Sequence, residues 1–400
     1  MIAIFKPSRL FGTLYAPPSK SLTHRFLIGA ALSGEKCTWT NVDYSEDILA
    51  TIDCLRALGG NVTADGDRVT VDPRGFMQVK NPILNCRESG STLRFFLPLA
   101  LCLGYPTVLR GSTRLLERPL DVYKELCTEN GFTFQKGSNA VTVCGKLAGG
   151  HYTVRGDISS QFITGLLFAL VYLNEPSTIR ILPPFESRPY VDLTVSALKA
   201  FGADIQFCEN DTISVRGSRL HGFSGKAEGD YSNAAFLDVF NYLGSAVNIE
   251  NLNKESLQGD RVYPEYFEQL AKGSPELDIS DHPDLGPVLF ALAALKHGAS
   301  FTGTSRLKMK ETDRRIAMRQ ELEKLGGKLI IGDNSITVPK QSLRYKGTVL
   351  SGHNDHRIVM ALSVILVTIG GDIDGVEAVR KSYPGFFDDL MTLGADIEFV

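Results

Sequence analysis

One segment type recurs along the chain: a helical stretch that ends in an apolar residue and glycine, followed by a strand, a turn and a second strand. Leu55-Arg-Ala-Leu-Gly59, for example, precedes Asn61-Val-Thr and, after a turn, Arg68-Val-Thr-Val71. Glycine suits the left-handed position after a helix, and the alternation behind it is typical of strands. The glycines that end these segments, with a weaker copy at 273, are Gly59, Gly131, Gly202, Gly273, Gly326 and Gly394.

Each repeat also contains an earlier helix rich in small and apolar residues. Helices that are apolar all round, such as 162–173 and 285–295, must be covered on every side. Chance is the alternative, because Leu-Gly helix ends are common, but spacing, strand pattern and helix entries all agree. Six units in 400 residues predict two α/β domains of three units each. The expected helix openings lie near Ser19, Glu88, Ser159, Asp230, Asp281 and Asp355.

Overall charge and cysteine usage narrow the class of protein. A net charge of −3 and a pI near 6.2 argue against a general nucleic-acid or membrane-surface binder, which needs a broad basic face. The seven scattered cysteines form no Cys-x-x-Cys pair, so we expect reduced thiols in a cytoplasmic protein, without a disulfide framework or a zinc site. The longest apolar runs, 163–173 and 358–369, are too short for a membrane span and predict buried helices.

The helix openings carry hydroxyl groups and cations. In Pro18-Ser-Lys-Ser-Leu-Thr-His-Arg25, Lys20 lies in a first turn, where the helix dipole disfavours a cation. An anion bound between Lys20 and the free N–H groups would account for this placement, although a solvated lysine beside serine caps is the alternative. Gly90, in Ser89-Gly-Ser-Thr92, would let a ligand approach the backbone.

The predicted second helices add more cations near their first turns. They open at Glu117-Arg-Pro119, Ser187-Arg-Pro-Tyr190, Lys310-Glu-Thr-Asp-Arg314 and Lys381-Ser-Tyr-Pro384. If these starts converge, they suit a small substrate with several phosphates and carboxylates, since arginine binds such groups bidentately and lysine as a point charge. The chain has no P-loop, no Rossmann glycine fingerprint and no ligand grouping with zinc spacing.

Eight motifs, taken together in their order, resemble the 5-enolpyruvylshikimate-3-phosphate synthase family from Lys20 to Lys381. They are Pro18-Ser-Lys-Ser-x-x-x-Arg25, Glu88-Ser-Gly-Ser-Thr-Leu-Arg94, Leu116-Glu-Arg-Pro-Leu120, Ser159-Ser-Gln161, Ser187-Arg-Pro-Tyr190, Lys310-Glu-Thr-Asp-Arg314, Asp355-His-Arg357 and Lys381-Ser-Tyr-Pro384. The resemblance implies an α/β enolpyruvyl transferase fold, an inverted α/β barrel, with three βαβαββ-type units around buried parallel helices in each domain. It places one domain at 19–228 and the other at 1–18 with 229–400, with the active site in the cleft between them.

The resemblance also implies the reaction. The family transfers the enolpyruvyl group of phosphoenolpyruvate to the 5-hydroxyl of shikimate 3-phosphate, in the shikimate pathway to aromatic amino acids. Phosphate leaves from a tetrahedral adduct, and neither a metal nor an organic cofactor takes part. Proton transfer at C3 and at the 5-hydroxyl needs acid–base groups, and charge developing at C2 and on phosphate needs preorganised electrostatics. We expect no nucleic-acid or membrane partner, and a monomer.

Roles carry over residue by residue. Asp284 resembles the base for the 5-hydroxyl, Glu311 with Lys20 resembles the proton shuttle for C3, and His356 is expected to support this group. The expected phosphoenolpyruvate contacts are Lys20, Gly90, Arg118, Gln161, Arg314, Arg357 and Lys381. The expected shikimate 3-phosphate contacts are Lys20, Ser21, Arg25, Ser159, Ser160, Gln161, Ser187, Asp284 and Lys310.

Two positions depart from the family, and other readings remain. Glu88 lies where the family often has asparagine, and Arg306 where many members have asparagine in the shikimate-phosphate pocket. The related UDP-N-acetylglucosamine enolpyruvyl transferases typically carry a reactive cysteine near the position of Arg118, but 111–119 holds no cysteine. A non-catalytic phosphosugar-binding relative would not need Asp284 and Glu311 together.

Overall fold

In the computed structural model all 400 residues are described, and the chain divides into two compact units. One unit is continuous, Pro18–Glu228, and the other combines Met1–Pro17 with Gly229–Val400. Backbone hydrogen bonds fix the ends of both crossing segments within their own units. The Ser19 N–H donates to the Glu228 carbonyl at 2.8 Å, and the Asp230 N–H donates to the Pro17 carbonyl at 2.7 Å.

Thirteen α-helices and four short 3-10 helices are distributed over the two units. The helices of Pro18–Glu228 are α1 (Lys20–Leu32), α2 (Glu46–Ala57), α3 (Gly90–Cys102), α4 (Thr113–Glu117), α5 (Asp121–Glu129), α6 (Ser160–Leu173) and α7 (Arg188–Ala200). The other unit has α8 (Tyr231–Asp238), α9 (Tyr263–Lys272), α10 (Gly286–Leu295), α11 (Arg314–Lys324), α12 (His356–Ile369) and α13 (Phe386–Thr392). The 3-10 helices are Val239–Leu243, Gly259–Val262, Ser305–Met309 and Val376–Lys381.

Twenty-two short strands accompany the helices. The first fourteen are β1 (Ile2–Lys6), β2 (Phe11–Tyr15), β3 (Cys37–Thr40), β4 (Asn61–Asp65), β5 (Arg68–Asp72), β6 (Ile83–Asn85), β7 (Thr107–Arg110), β8 (Thr133–Lys136), β9 (Ala140–Cys144), β10 (His151–Arg155), β11 (Ser177–Leu182), β12 (Asp204–Cys208), β13 (Thr212–Arg216) and β14 (Gly225–Lys226). The remainder are β15 (Ala246–Glu250), β16 (Glu276–Asp278), β17 (Ala299–Thr302), β18 (Ile330–Ile331), β19 (Ser335–Val338), β20 (Leu350–Ser351), β21 (Gly371–Asp374) and β22 (Asp396–Phe399).

The strands form six separate sheets, one for each repeated unit, and no closed barrel. Five sheets have four strands in the orders β14-β3-β5-β4, β6-β7-β9-β8, β10-β11-β13-β12, β16-β17-β19-β18 and β20-β21-β1-β22. In each of the five, the first pair is parallel and the next two pairs are antiparallel. The sixth sheet is the parallel pair β15-β2. The predicted α/β units are therefore confirmed, whereas the term barrel describes none of the sheets.

The weaker sequence repeat corresponds to the two-stranded unit. Five of the repeat glycines end helices with a positive φ, between +67° at Gly131 and +101° at Gly394. Gly273 is extended instead, with φ −178°, so the prediction of a left-handed glycine is wrong there. No hairpin follows Gly273, since the chain runs on to β16 at Glu276–Asp278 and α10, and this shortens the spacing to the next repeat glycine.

Each unit encloses its own hydrophobic core. The apolar runs predicted to be buried helices are α6 and α12, and both are covered along most of their length. In one unit α6 packs against α3 and α1, and in the other α12 packs against α10. The starts of α1, α3, α6 and α12 supply about half of the candidate site residues. No helix of the chain combines the length and the apolar character that crossing a membrane would require.

Candidate active site

Lys20 is the first residue of α1 and forms an ion pair. Its Nζ donates to Oδ2 of Asp47 at 2.9 Å, and both side chains are largely buried, with exposures of 16% and 11%. Asp47 lies in the first turn of α2, where a carboxylate is favoured by the helix dipole. Ser19 occupies the predicted N-cap position, although its hydroxyl makes no capping hydrogen bond. The lysine that the sequence placed against the dipole is thus balanced by a carboxylate from the next helix.

Gly90 lies directly against the guanidinium group of Arg118. A Cβ atom built on Gly90 would lie 2.6 Å from Nη1, 2.8 Å from Cζ and 3.0 Å from Nη2 of Arg118. Ser89 caps α3 by accepting a hydrogen bond from the Thr92 N–H at 3.2 Å. The absence of a side chain at the start of α3 therefore gives the arginine its position. Only glycine fits there without displacing Arg118.

Gln161 joins the starts of α3 and α6. Its Oε1 accepts from Nη1 of Arg94 at 2.7 Å, and its Nε2 donates to the Ser91 hydroxyl at 2.9 Å. Ser159 caps α6 by accepting from the Gln161 N–H at 3.3 Å, and Ser160 is buried in the first turn. We call Lys20, Gly90, Arg94, Arg118 and Gln161 the Lys20 cluster. Its three cations are Lys20 at the start of α1, Arg94 in the first half of α3 and Arg118 at the end of α4.

Arg25 connects α1 with the start of α7. Its Nε donates to the Thr194 hydroxyl and its Nη2 to the Tyr190 carbonyl, both at 2.9 Å, and Nη1 donates to the Ser21 carbonyl. Burial lowers the pKa of Arg25 to about 10, which leaves it charged at neutral pH. Ser187 precedes α7 in the left-handed region, with φ 54°, and is buried. Arg25 therefore holds the backbone at both Ser21 and Tyr190.

A buried hydrogen-bond chain ties the first three helices together. His24 Nδ1 lies 2.7 Å from the Thr51 hydroxyl, which lies 2.9 Å from that of Thr92, and Thr92 donates to Ser89 at 2.8 Å. Burial is the main cause that holds the pKa of His24 well below its usual value, with smaller contributions from Lys20 and Arg25. A neutral imidazole consequently links the first two turns of α1, α2 and α3.

Asp284 is the centre of the second group, where three cations face one carboxylate. Its Oδ1 lies 3.0 Å from Nζ of Lys310 and 2.9 Å from Nη1 of Arg314, and its Oδ2 lies 3.7 Å from Nη2 of Arg357. The buried Arg314 also donates from Nη2 to Glu311 at 2.8 Å. We call Asp284, Lys310, Glu311, Arg314, Asp355, Arg357 and Lys381 the Asp284 cluster.

Opposite charges and burial shift the pKa values within this cluster. Burial raises the pKa of Asp284, but the three neighbouring cations outweigh it and hold the pKa well below its usual range. Burial is the largest effect on Lys310 and lowers its pKa to about 8; the charge of Asp284 opposes this, and nearby arginines reinforce it. Although burial disfavours the charged form of Arg314, its three carboxylate partners raise its pKa. Asp284 is therefore ionised at neutral pH.

Asp355 organises the start of α12. It caps the helix by accepting from the Arg357 N–H at 2.9 Å, and its two oxygens accept from Nε and Nη2 of Arg314 at 2.8 and 3.2 Å. Nζ of Lys381 donates to the neighbouring Asn354 carbonyl at 2.6 Å. His356 is buried in the first turn, with Nδ1 4.0 Å from Oδ1 of Asp355, which is beyond hydrogen-bond distance. The turn before α12 thus contacts both Arg314 and Lys381.

Three predicted placements at helix starts are wrong. Asp284 lies in the segment before α10, whose N-cap is Leu285 and whose Pro287 occupies the first turn. Arg118 follows α4 as its C-cap, and Lys381 ends a 3-10 helix. Short helices precede both cations because Ser112 caps α4 and Gly375, with φ 79°, precedes the 3-10 turn. Loops and helix ends therefore present these three residues.

Several contacts that shape the two clusters carry no recognisable signal in the sequence. Asp47 is a first-turn acid of a common kind, and only its distance from Lys20 distinguishes it. Arg94 ends the motif that begins at Glu88, but its bond to Gln161 depends on the packing of α3 against α6. Of the two departures, Arg306 is buried and its charge acts on Lys310, whereas Glu88 precedes the cap of α3. No group of three or more His, Cys, Asp or Glu side chains could hold a metal ion.

Comparisons with known proteins agree on one family. The family model described as EPSP synthase (3-phosphoshikimate 1-carboxyvinyltransferase) matches residues 4–390. The chain is 38% identical to the 3-phosphoshikimate 1-carboxyvinyltransferase of Clostridium kluyveri, over 98% of this chain and 97% of the relative. It is 36% identical to that of Clostridium acetobutylicum, with the same coverage.

The fold agrees with a solved structure as well. EPSP synthase from Acinetobacter baumannii superimposes with a TM-score of 0.77 at 22% identity, covering 100% of this chain and 99% of that one. The family model spans almost the whole chain, and the relatives are well above 30% identical over nearly their full length. The chain therefore belongs to the EPSP synthase (3-phosphoshikimate 1-carboxyvinyltransferase) family.

Proposed function

We propose that this chain transfers the enolpyruvyl group of phosphoenolpyruvate to the 5-hydroxyl of shikimate 3-phosphate and that the Lys20 and Asp284 clusters carry the reaction. The observation that carries the proposal is the placement of two carboxylates among the cations of the second cluster. Asp284 and Glu311 each contact Arg314, at 2.9 and 2.8 Å. A site that only bound two anionic substrates would be weakened by carboxylates, so these two groups serve proton transfer.

Each substrate is assigned its own set of residues from the two clusters and their surroundings, with Lys20 and Gln161 in both sets. Phosphoenolpyruvate is bound by Lys20, Gly90, Arg118 and Gln161 of the Lys20 cluster and by Arg314, Arg357 and Lys381 of the Asp284 cluster. Shikimate 3-phosphate is held by Ser21, Arg25, Ser159, Ser160, Gln161, Ser187, Lys20, Asp284 and Lys310. Arginine forks and lysine point charges suit the two phosphates and two carboxylates that the substrates bring.

Asp284 accepts the proton of the 5-hydroxyl as the oxygen attacks C2 of phosphoenolpyruvate. The ion pairs with Lys310 and Arg314 keep Asp284 ionised but also make it a weak base. Anionic substrate groups that draw Lys310 or the arginines toward themselves would raise the basicity of Asp284. Substrate binding thereby prepares the base, since its cationic partners are the same groups that bind the substrates.

Proton transfer at C3 is assigned to Glu311 and Lys20. The C3 methylene gains a proton when the tetrahedral adduct forms and loses one when phosphate leaves, so the group must exchange a proton in both directions. Glu311 is held by Arg314, and Lys20 is held by Asp47, which orients both side chains. His356, buried beside Asp355, supports the start of α12 and hence Arg357.

A phosphosugar-binding relative without activity is the alternative, and phosphate release decides between the two. Phosphate is measured with phosphoenolpyruvate alone, with shikimate 3-phosphate alone and with both. Release only from the mixture supports the transferase, whereas binding of both compounds without release supports the alternative.

We also propose that the chain acts as a monomer in the cytoplasm, consistent with its seven free cysteines. Sedimentation of the purified chain tests whether it is a monomer.

A further inference from the structure

The turn Ser351–Asp355 positions three cations that are assigned to phosphoenolpyruvate: Arg314, Arg357 and Lys381. Asp355 accepts two hydrogen bonds from Arg314 and caps the helix in which Arg357 is the second residue. The Asn354 carbonyl accepts from Lys381 at 2.6 Å. Any shift of this turn would therefore move all three cations together.

The backbone of this turn needs support from its surroundings. His353 and Asn354 both lie in the left-handed region, with φ 50° and 52°. Two consecutive non-glycine residues in this region cost of the order of 1 kcal/mol each, and such conformations persist only where neighbouring contacts hold them. The conformation therefore depends on contacts outside the turn.

A buried carboxylate supplies this support. Glu321, with 1% of its side chain exposed, accepts from Nε2 of His353 at 2.7 Å and from the Ser351 N–H at 2.9 Å. Lys324 donates to the same carboxylate at 2.8 Å. Burial raises the pKa of Glu321, but hydrogen bonds from these three groups outweigh it and lower the pKa, so the carboxylate is ionised at neutral pH.

Helix α11 consequently grips the turn at two points. Arg314, its first residue, binds Asp355, and Glu321, two turns later on the same helix face, binds Ser351 and His353. The first contact lies among the groups assigned to the reaction, whereas Glu321 and His353 have no assigned part in it. The second contact therefore holds the turn before α12 against α11 at a point away from the groups assigned to the reaction.

We propose that Glu321 and His353 are positioning residues that hold the turn Ser351–Asp355 in its left-handed conformation and so align Arg314, Arg357 and Lys381 for phosphoenolpyruvate. The inference rests on the proposed function, because it takes the binding role of these cations from it. Loss of the Glu321–His353 bond weakens phosphoenolpyruvate binding much more than shikimate 3-phosphate binding, since seven of the nine residues assigned to the latter, all except Asp284 and Lys310, lie in the other unit.

The variants are chosen to remove this bond without unfolding the turn. His353→Asn keeps a residue type that tolerates positive φ, but its shorter side chain does not reach Glu321. Glu321→Gln keeps the acceptor for Ser351 and removes the charge. Glu323→Gln is the matched control, because it neutralises an exposed glutamate on the same helix that lies 3.9 Å from Arg319.

Steady-state kinetics with each substrate varied in turn, and thermal unfolding of every variant, test the proposal. We expect His353→Asn and Glu321→Gln each to raise KM for phosphoenolpyruvate by roughly 10- to 100-fold, the span of a lost hydrogen bond to a charged group. KM for shikimate 3-phosphate should stay within about twofold, and Glu323→Gln should match the unmodified chain. The double variant should be no worse than the poorer single variant, because both remove the same interaction.

Folded variants with an unchanged KM for phosphoenolpyruvate, with equal increases for both substrates, or with additive effects would overturn the positioning role. An unmodified chain that releases no phosphate would instead refute the proposed function. In that case direct titration of phosphoenolpyruvate into the chain and its variants still tests the turn: equal affinities would overturn the proposal, and weaker binding confined to the two variants would support it.

Discussion

Replacement of Gly90 by alanine should displace Arg118 and weaken phosphoenolpyruvate binding. The new Cβ would lie 2.6 Å from Nη1, whereas ordinary contacts begin near 3.4 Å, so the guanidinium must retreat by about 0.8 Å. Such a shift breaks a charge-assisted hydrogen bond to the ligand, worth about 1.5–3 kcal/mol. We therefore expect kcat/KM for phosphoenolpyruvate to fall by roughly 10- to 100-fold.

Kinetics with each substrate varied separately check this expectation. Alanine in the first turn of α3 favours the helix, so the free energy of unfolding should not fall. Gly273→Ala is the matched control, since nothing lies within 4 Å of its Cβ position and its φ of −178° suits any residue. An unchanged kcat/KM for phosphoenolpyruvate in Gly90→Ala, or an equal loss in the control, would refute the steric argument.

Four further predictions concern the acid–base groups and Lys310. Lys20→Ala should abolish most turnover while the affinity for shikimate 3-phosphate, measured by calorimetry, falls less; lost affinity with kcat intact would contradict its role. Asp284→Asn should bind both substrates but lower kcat by roughly 10²- to 10⁴-fold, and Glu311→Gln should do the same and slow deuterium incorporation at C3. Normal turnover in Asp284→Asn would refute its role as the base, and normal exchange in Glu311→Gln would refute its role at C3. Because the pKa of Lys310 is lowered to about 8, raising the pH through this value removes its charge, so kcat/KM for shikimate 3-phosphate should fall with a midpoint near pH 8. Lys310→Arg should move this fall to higher pH, and an unmoved midpoint would assign it to another group.

The repeated units could be predicted from sequence because each one repeats a local rule. A positive-φ glycine after a helix and alternating strands depend on neighbours in the chain, and they recur in five units. The pairing of β1 with β21 and β22 could not be predicted in this way, because it joins the N-terminal strand to the last unit. The unit that ends at Gly273 lost its hairpin and with it the local signal.

The candidate site was less accessible to sequence reasoning because its members are joined across helices. Lys20 was singled out correctly as a cation at a helix start, but its partner Asp47 is a first-turn acid like many others. The run Asp281–Asp284 resembled a helix opening, yet the helix begins at Gly286, and Asp284 is placed by Lys310 and Arg314 instead. Contacts between residues far apart in sequence, including Glu321 with His353, require the packed structure.

Phosphate release from phosphoenolpyruvate, with and without shikimate 3-phosphate, tests the central claim most directly. The proposed reaction forms the bond between the 5-oxygen and C2 before phosphate leaves, so both substrates are required. We expect phosphate to appear only when both are present, in equal amount to the enolpyruvyl product. Release without shikimate 3-phosphate, or no release from the mixture, would contradict the account.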